Sequence, residues 1–363
     1  MPKGPTLDDL RRHAVARTLF KPTTLARAID RLGFVQADPI RAPARAQDLI
    51  LRHRVAGYHA GDLERRYSRL RIDEDAFVNY GFLPRRHLAL LHPRTPRRGW
   101  DAATAKKAAE VLAFIRARGP THPRAVEAHF AHGRVTNYWG GSSNATTHLL
   151  DAMHYRGLLR VRRRESGTRI YEAVEHPPAD DSPAARGARA AALLDLVVAK
   201  YAPLPGSSLV YLARLLGYGA PHLGDETRHA LGALRERLGS VRIDNVTWHW
   251  PADENPRSSR HAPDEHVRLL APFDPIVWDR RRFALFWGWT YRFEAYTPAP
   301  KRKLGYYALP LLWRDKVVGW ANASVVNGRL RVASGYANGV PREPAFRREL
   351  AAELERLAEF LEL

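Results

Sequence analysis

Apolar positions recur at helical spacing from Leu7 to Leu19 and from Thr24 to Leu32, with Pro22-Thr23-Thr24 as a start signal and Gly33 as a stop. The segment GFVQADPIRAPARAQDLILRHR follows. Pro39 and Pro43 bracket a stiff connection there, and helical spacing resumes from Ala44 with Arg45, Arg52 and Arg54 along it. The basic, Pro-rich stretch 84–99 reads as a linker. Beyond it, Ala102 to Arg118, THPRAVEAHF and ATTHLLDAMHYRGLL predict three helices. LLRVRRRESGTRIYEAVE then predicts a hairpin turning at Ser166-Gly167. Three helices followed by a hairpin is the order of a winged helix, whose third helix enters a groove while the wing reaches the backbone.

A second linker, HPPADDSP at 176–183, precedes a weaker repetition of this plan. AARGARAAALLDLVVAKYA, SSLVYLARLLGY and GDETRHALGALRERLG predict helices, and SVRIDNVTWHW reads as strand. From about 266 the periodicity changes to two. RFEAYT, GYYALPLLW, KVVGWANASVV and RLRVASGY alternate as strands, with turns at Arg314-Asp315 and Asn327-Gly328. A final amphipathic helix covers 343–362. The expected class is α+β: about three tandem winged-helix modules (7–95, 100–176 and 184–251), a small β-barrel at 266–340 and a C-terminal helix at 343–363.

Charge changes this picture most. The 363 residues carry 58 Lys and Arg against 38 Asp and Glu, a formal charge of +20. Only 8 of the 58 are Lys, so 50 are Arg, the side chain whose fork matches phosphate geometry. A polyanionic partner is expected, although a GC-rich genome would also enrich Arg. A membrane surface fits less well, because the charge is spread along the chain. No apolar run approaches the roughly 20 residues that span a bilayer, and MPKGPTLDDLRR has no apolar signal region. The absence of cysteine removes disulfides, thiol nucleophiles and most structural zinc sites, and suits the cytoplasm.

Candidate chemistry is sparse. His122, His129, His132, His148 and His154 form no metal-ligand spacing, and GxGxxG, P-loop and G-x-S-x-G motifs are absent. Ser142, Ser143 and Asn144 follow Gly140-Gly141 and precede a helix, so they suit an ordinary cap or a phosphate-binding turn. Arg160, Arg162 and Arg164 alternate on the presumed wing and share one strand face, either a phosphate-contact stripe or a solvated edge. Asp38 precedes Pro39 and is therefore extended. If Gln36 is extended too, both side chains project to one side, and an amide beside a carboxylate can hold a water. From spacing alone, a helix-ending turn with incidental polar residues is the better account.

FVQADPIRAPARAQDLILRHR (34–54), LLAPFDPIVWDRRR (269–282) and YRFEAYTPAPKRKLGYYALPLL (291–312) resemble the corresponding tracts of the AlkZ/AlkX (YcaQ)-type winged-helix DNA glycosylase family. With the module order, the similarity covers about 7–335. The resemblance implies three winged-helix units and a β-barrel around a positively charged concave channel. It also implies monofunctional hydrolysis of N-alkylated bases, in some members of bulky or crosslinked adducts. Gln36 and Asp38 fall on the family's two catalytic positions, with Asp at the second as in the AlkX branch. Ala37 between them is smaller than the usual Ile or Val.

Several expectations follow. Arg45, Arg52, Arg54, the wing arginines and Lys301-Arg302-Lys303 should line one continuous positive channel. YTPAPKRK should be a rigid loop presenting Tyr296, Lys301 and Arg302 toward DNA near Asp38. Lys is absent from 22 to 105, which leaves no nearby Schiff-base candidate. The expected partner is double-stranded DNA containing alkylated bases, bound by a monomer without membrane, cofactor or metal. The alternatives are a winged-helix transcription regulator, which leaves the long C-terminal tracts unexplained, and a non-catalytic DNA-binding scaffold.

Overall fold

A computed structural model describes residues 4–131, 133–136 and 142–363, with backbone alone at 134–136, 142 and 143. The chain divides into two compact units, one of Met1–Asp62, Leu194–Ala213 and Leu231–Leu363, the other of Leu63–Leu193 and Arg214–Ala230. Both mix helix and strand. The helices Pro183–Tyr201, Gly206–Gly219 and Gly224–Glu236 give residues to each. No helix among the described residues is long and apolar enough to cross a membrane.

In the first unit, helix Leu7–Thr18 opens with a capping box between Thr6 and Asp9, which satisfies two otherwise orphaned N–H groups. Helix Leu25–Leu32 starts at the Thr24 cap and stops at Gly33, whose φ of 67° is the left-handed conformation that ends helices. The helix expected from Ala44 spans only Ala46–Leu51. An antiparallel sheet joins Leu204–Pro205, Val246–Pro251 and Leu238–Ile243 in that order.

The C-terminal sheet corrects the barrel expectation. Val267–Leu269, Leu309–Trp313, Lys316–Val326 and Arg329–Tyr336 pair in sequence order, and the first and last strands each pair with one neighbour. A sheet of four strands with two free edges is open, whereas closure needs strand number, tilt and shear to agree. One cause is RFEAYT, which forms no strand: its Phe293 packs against Phe273 and Tyr307, Tyr291 just before it is buried in the core with Phe283, and a short helical turn at Ala299–Lys301 takes the prolines. Helix Pro344–Phe360 packs Phe346, Leu357 and Phe360 inward and reaches the Val267–Leu269 strand.

In the second unit, helices Ala102–Arg118, Pro123–Phe130 and Ala145–Tyr155 and the hairpin Leu159–Glu165/Thr168–Ala173 follow in the expected order. Ser166 and Gly167 both have positive φ, as a two-residue hairpin turn requires. A second hairpin, Ile72–Ala76/Tyr80–Pro84, was not foreseen. The stretch expected as a linker is tied down, since Arg94 donates to the Gly219 carbonyl (2.6 Å) and to Asp75 (2.9 Å).

Candidate active site

Past Gly33 the chain buries Phe34 and Val35 and runs extended through Val35–Gln36. Gln36 is 3% exposed, and its carboxamide oxygen accepts a hydrogen bond from the Trp278 indole N–H at 2.7 Å. Trp278 ends the helical turn Pro275–Trp278, which Asp274 caps through the Ile276 N–H. Asp274 is itself fully buried and gripped by both terminal nitrogens of Arg54 (2.8 and 3.1 Å).

Two residues on, Asp38 is half-buried. Its backbone N–H donates to the Gln47 side-chain oxygen (3.3 Å), and its own Oδ1 accepts from the Ile40 N–H (2.9 Å), a local turn that Pro39 stiffens. No cation pairs with Asp38 among the described residues. Burial raises its carboxyl above the ordinary value of 3.8, and the Ile40 N–H offsets only part of that. Tyr296 and Tyr307 lie in its field: burial first, and the Asp38 charge second, raise both phenols. Tyr296 is 79% exposed, with its ring edge-on to Phe293, while the buried Tyr307 hydroxyl has no hydrogen-bond partner among the described residues. The two side chains of the strip therefore differ: the Gln36 carboxamide oxygen is tied to Trp278, whereas Asp38 makes no ion pair among the described residues.

The expected DNA-contact residues divide sharply. Arg52 and Arg54 are buried: Arg52 pairs with Glu353, and Arg54 holds Asp274 and the carbonyls of Thr18 and Ile50. Neither can line a channel, because the short Ala46–Leu51 helix turns both inward. Arg45 stands at the N-cap position of that helix, without a side-chain capping bond, and is half-buried. On the wing, Arg160 pairs with Glu172 (2.8 Å) and Arg164 with the buried Glu74 (2.5 Å). A bulge between Val161 and Arg163 breaks the period of two, so Arg160, Arg162 and Arg164 do not form one alternating stripe. Asn144 caps helix Ala145–Tyr155 by accepting from the Thr147 N–H (3.0 Å). Ser142 and Ser143 pair through their backbones with Thr136 and Val135, and Gly140-Gly141 lies outside the described residues. Lys301 is exposed, whereas Arg302 stacks over Tyr306 and donates to the Thr297 carbonyl.

A family model described as DNA glycosylase AlkZ-like matches residues 29–360, nearly the whole chain. The chain belongs to the AlkZ-like DNA glycosylase family. The DNA glycosylase AlkZ of Streptomyces sahachiroi shares its fold, with a TM-score of 0.61 over 99% of this chain and 98% of that one, at 14% sequence identity. Family membership makes DNA the partner and base excision in DNA repair the class of activity.

For an AlkZ-like chain, sequence reasoning missed Trp278, Gln47 and Tyr307. Trp278 and Tyr307 act across long sequence separations, and Gln47 reaches back nine residues to the Asp38 N–H around a turn; no spacing rule finds such pairs. It also missed Lys200, which the fold brings to the candidate segment, where its ammonium donates to the Phe34 carbonyl. Burial, and secondarily Arg54, lower the Lys200 amine to about 7. This amine is buried and committed to a backbone carbonyl.

Proposed function

We propose that this protein is a monofunctional DNA glycosylase that hydrolyses the N-glycosidic bond of N7-alkylguanine-type lesions, with bulky and crosslinked adducts within its range. Gln36 and Asp38 are the proposed catalytic pair. The observation that carries the reading is Asp38 itself, a partly buried carboxylate without a cationic partner among the described residues, beside an exposed tyrosine.

The chemistry asks little more. Alkylation at N7 leaves the base cationic, so the C1′–N9 bonding electrons leave with it and neutralise the ring. The sugar becomes oxocarbenium-like, as in glycoside hydrolysis. A carboxylate stabilises that cation, and as water bonds to C1′ the carboxylate accepts its proton. A raised carboxyl pKa suits that second role. Gln36 orients the water, and Lys200, committed to a backbone carbonyl, leaves hydrolysis as the route.

The deciding experiment is release of N7-methylguanine from alkylated duplex DNA, with strand cleavage followed in parallel. Free base without cleavage supports the reading. Base release accompanied by strand cleavage removes the monofunctional part, and no release from any alkylated substrate favours a non-catalytic DNA-binding scaffold.

A further inference from the structure

The Gln36 carboxamide has two unlike ends, and only one is free. The indole N–H of Trp278 is a donor and never an acceptor, so the Gln36 atom 2.7 Å from it has to be the oxygen. That contact settles an amide orientation that is otherwise assigned only from its hydrogen-bonding network. The NH2 group, which has no acceptor among the described residues, is then the end available to donate.

We infer that Trp278 is a positioning residue: it fixes the Gln36 carboxamide so that this side chain acts as a hydrogen-bond donor. The inference deepens the reading above and rests on Gln36 and Asp38 serving base release. A donor cannot take a proton. It can hold one lone pair of the attacking water while the other attacks C1′ and the water's proton passes to Asp38. The two residues of the strip then have separate tasks, donation by Gln36 and proton acceptance by Asp38.

The indole has its own supports. The Tyr201 ring lies 5.3 Å from it and the Tyr211 ring 6.3 Å. The turn that carries it starts at Asp274, which is fixed by the buried Arg54. Arg54, expected to grip DNA, serves instead at the base of this chain of contacts from Arg54 to Asp274, Trp278 and Gln36.

The test is single-turnover release of N7-methylguanine by wild type, Trp278→Phe, Gln36→Ala and the double variant, with DNA affinity measured separately. Phe keeps an aromatic ring and removes only the N–H. Trp278→Phe should lower the rate constant about 3- to 10-fold, the size of one net neutral hydrogen bond. DNA affinity should hold, and the substitution should cost nothing further once Gln36 is Ala. Hydrogen exchange at the Trp278 indole, assigned by its loss in Trp278→Phe, gives a readout independent of turnover: protection should fall in Gln36→Ala. Wild-type rates in Trp278→Phe, a loss that adds in full to that of Gln36→Ala, or unchanged indole protection would each overturn the inference while an active wild type leaves the proposed function standing. A wild type that releases no base overturns the proposed function, and this role with it.

Discussion

Two short extended strips of this protein carry acid, and they handle it in opposite ways. In the second unit, Ile72–Ala76 buries Asp73, Glu74 and Asp75 in succession. Each has a cation: Arg85 on Asp73 (2.7 Å), Arg164 on Glu74 (2.5 Å), and Arg94 (2.9 Å) on Asp75, which the His92 ring also hydrogen-bonds (2.5 Å). Burial pushes the Asp75 carboxyl up, but the His92 hydrogen bond and the Arg94 charge outweigh it and hold the group below its ordinary range. In the first unit, Asp38 has one backbone N–H and no cation among the described residues, so burial wins and its carboxyl rises. A cavity of about 340 Å³ opens beside these acids, each of which has an arginine, although at Asp73 burial outweighs Arg85 and raises the carboxyl. Availability, rather than the number of carboxylates, separates the structural strip from the candidate catalytic one.

Swapping charge for an isosteric amide should expose this difference. Asp38→Asn is expected to lower N7-methylguanine release by roughly 10²–10⁴-fold, the usual contribution of a general base, while the protein still folds and binds DNA. Wild-type-like release by Asp38→Asn would sink the mechanism. The opposite response belongs to the other strip. Arg164→Ala leaves the buried Glu74 with only the more distant Arg169 (3.8 Å) and should cost up to about 3–5 kcal/mol in urea-unfolding stability, as breaking a buried pair does. Its base release per folded molecule should stay near wild type. If Arg164→Ala is neutral in stability, the wing arginine is not the structural node described here.

The two acids should also pull stability in opposite directions with pH. Asp38, raised on folding, favours its protonated form, so its ionisation erodes stability as pH climbs from 3.8 through its folded value. Asp75, depressed on folding, contributes stability above 3.8 that is lost as pH falls toward its folded value. Urea titrations across acid pH should therefore show Asp38→Asn gaining on wild type above that window and matching it below. Asp75→Asn should lose most above 3.8, with the deficit shrinking as pH falls. The rate of base release should rise with pH, with a midpoint above 3.8 that disappears in Asp38→Asn. A midpoint unchanged in that variant would assign the titration to another group.

How much of this was legible depended on range along the chain. The Leu25–Leu32 helix, with Thr24 before it and Gly33 after it, and the Ser166-Gly167 hairpin were readable because their signals are local and stereochemical. The Gln36 and Asp38 positions were marked by resemblance, and Pro39 made the extended backbone readable. Burial of the arginines was not legible. Arg52 and Arg54 sit in a run that looks basic and exposed, and their partners, Glu353 and Asp274, come from about 300 and 220 residues away. The barrel failed for a related reason: an alternating pattern marks strands but not whether their edges meet, and RFEAYT packs Phe293 against Phe273 and Tyr307 without joining the ladder. Arg162 shows the same limit at short range, since a single bulge undid a stripe read from strict period two.

The smallest expected effect separates the two kinds of basic residue that charge alone could not tell apart. Lys301 is exposed beside the Tyr296 loop and makes no ion pair among the described residues, whereas Arg52 is enclosed with Glu353. A lysine that neutralises a phosphate releases counterions, so Lys301→Ala should weaken DNA binding alike across sequences and reduce the log–log salt slope by about one. Arg52→Ala should leave that slope unchanged in the fraction that folds, because a buried guanidinium displaces no counterion, and should show its cost in stability instead. Fluorescence-anisotropy titrations of a duplex at four or five salt concentrations resolve a slope difference of this size. A full unit lost by Arg52→Ala would mean that the Arg52–Glu353 pair opens to meet DNA. An unchanged slope in Lys301→Ala would detach the Tyr296 loop from the nucleic-acid surface and leave Asp38 to be reached from another side.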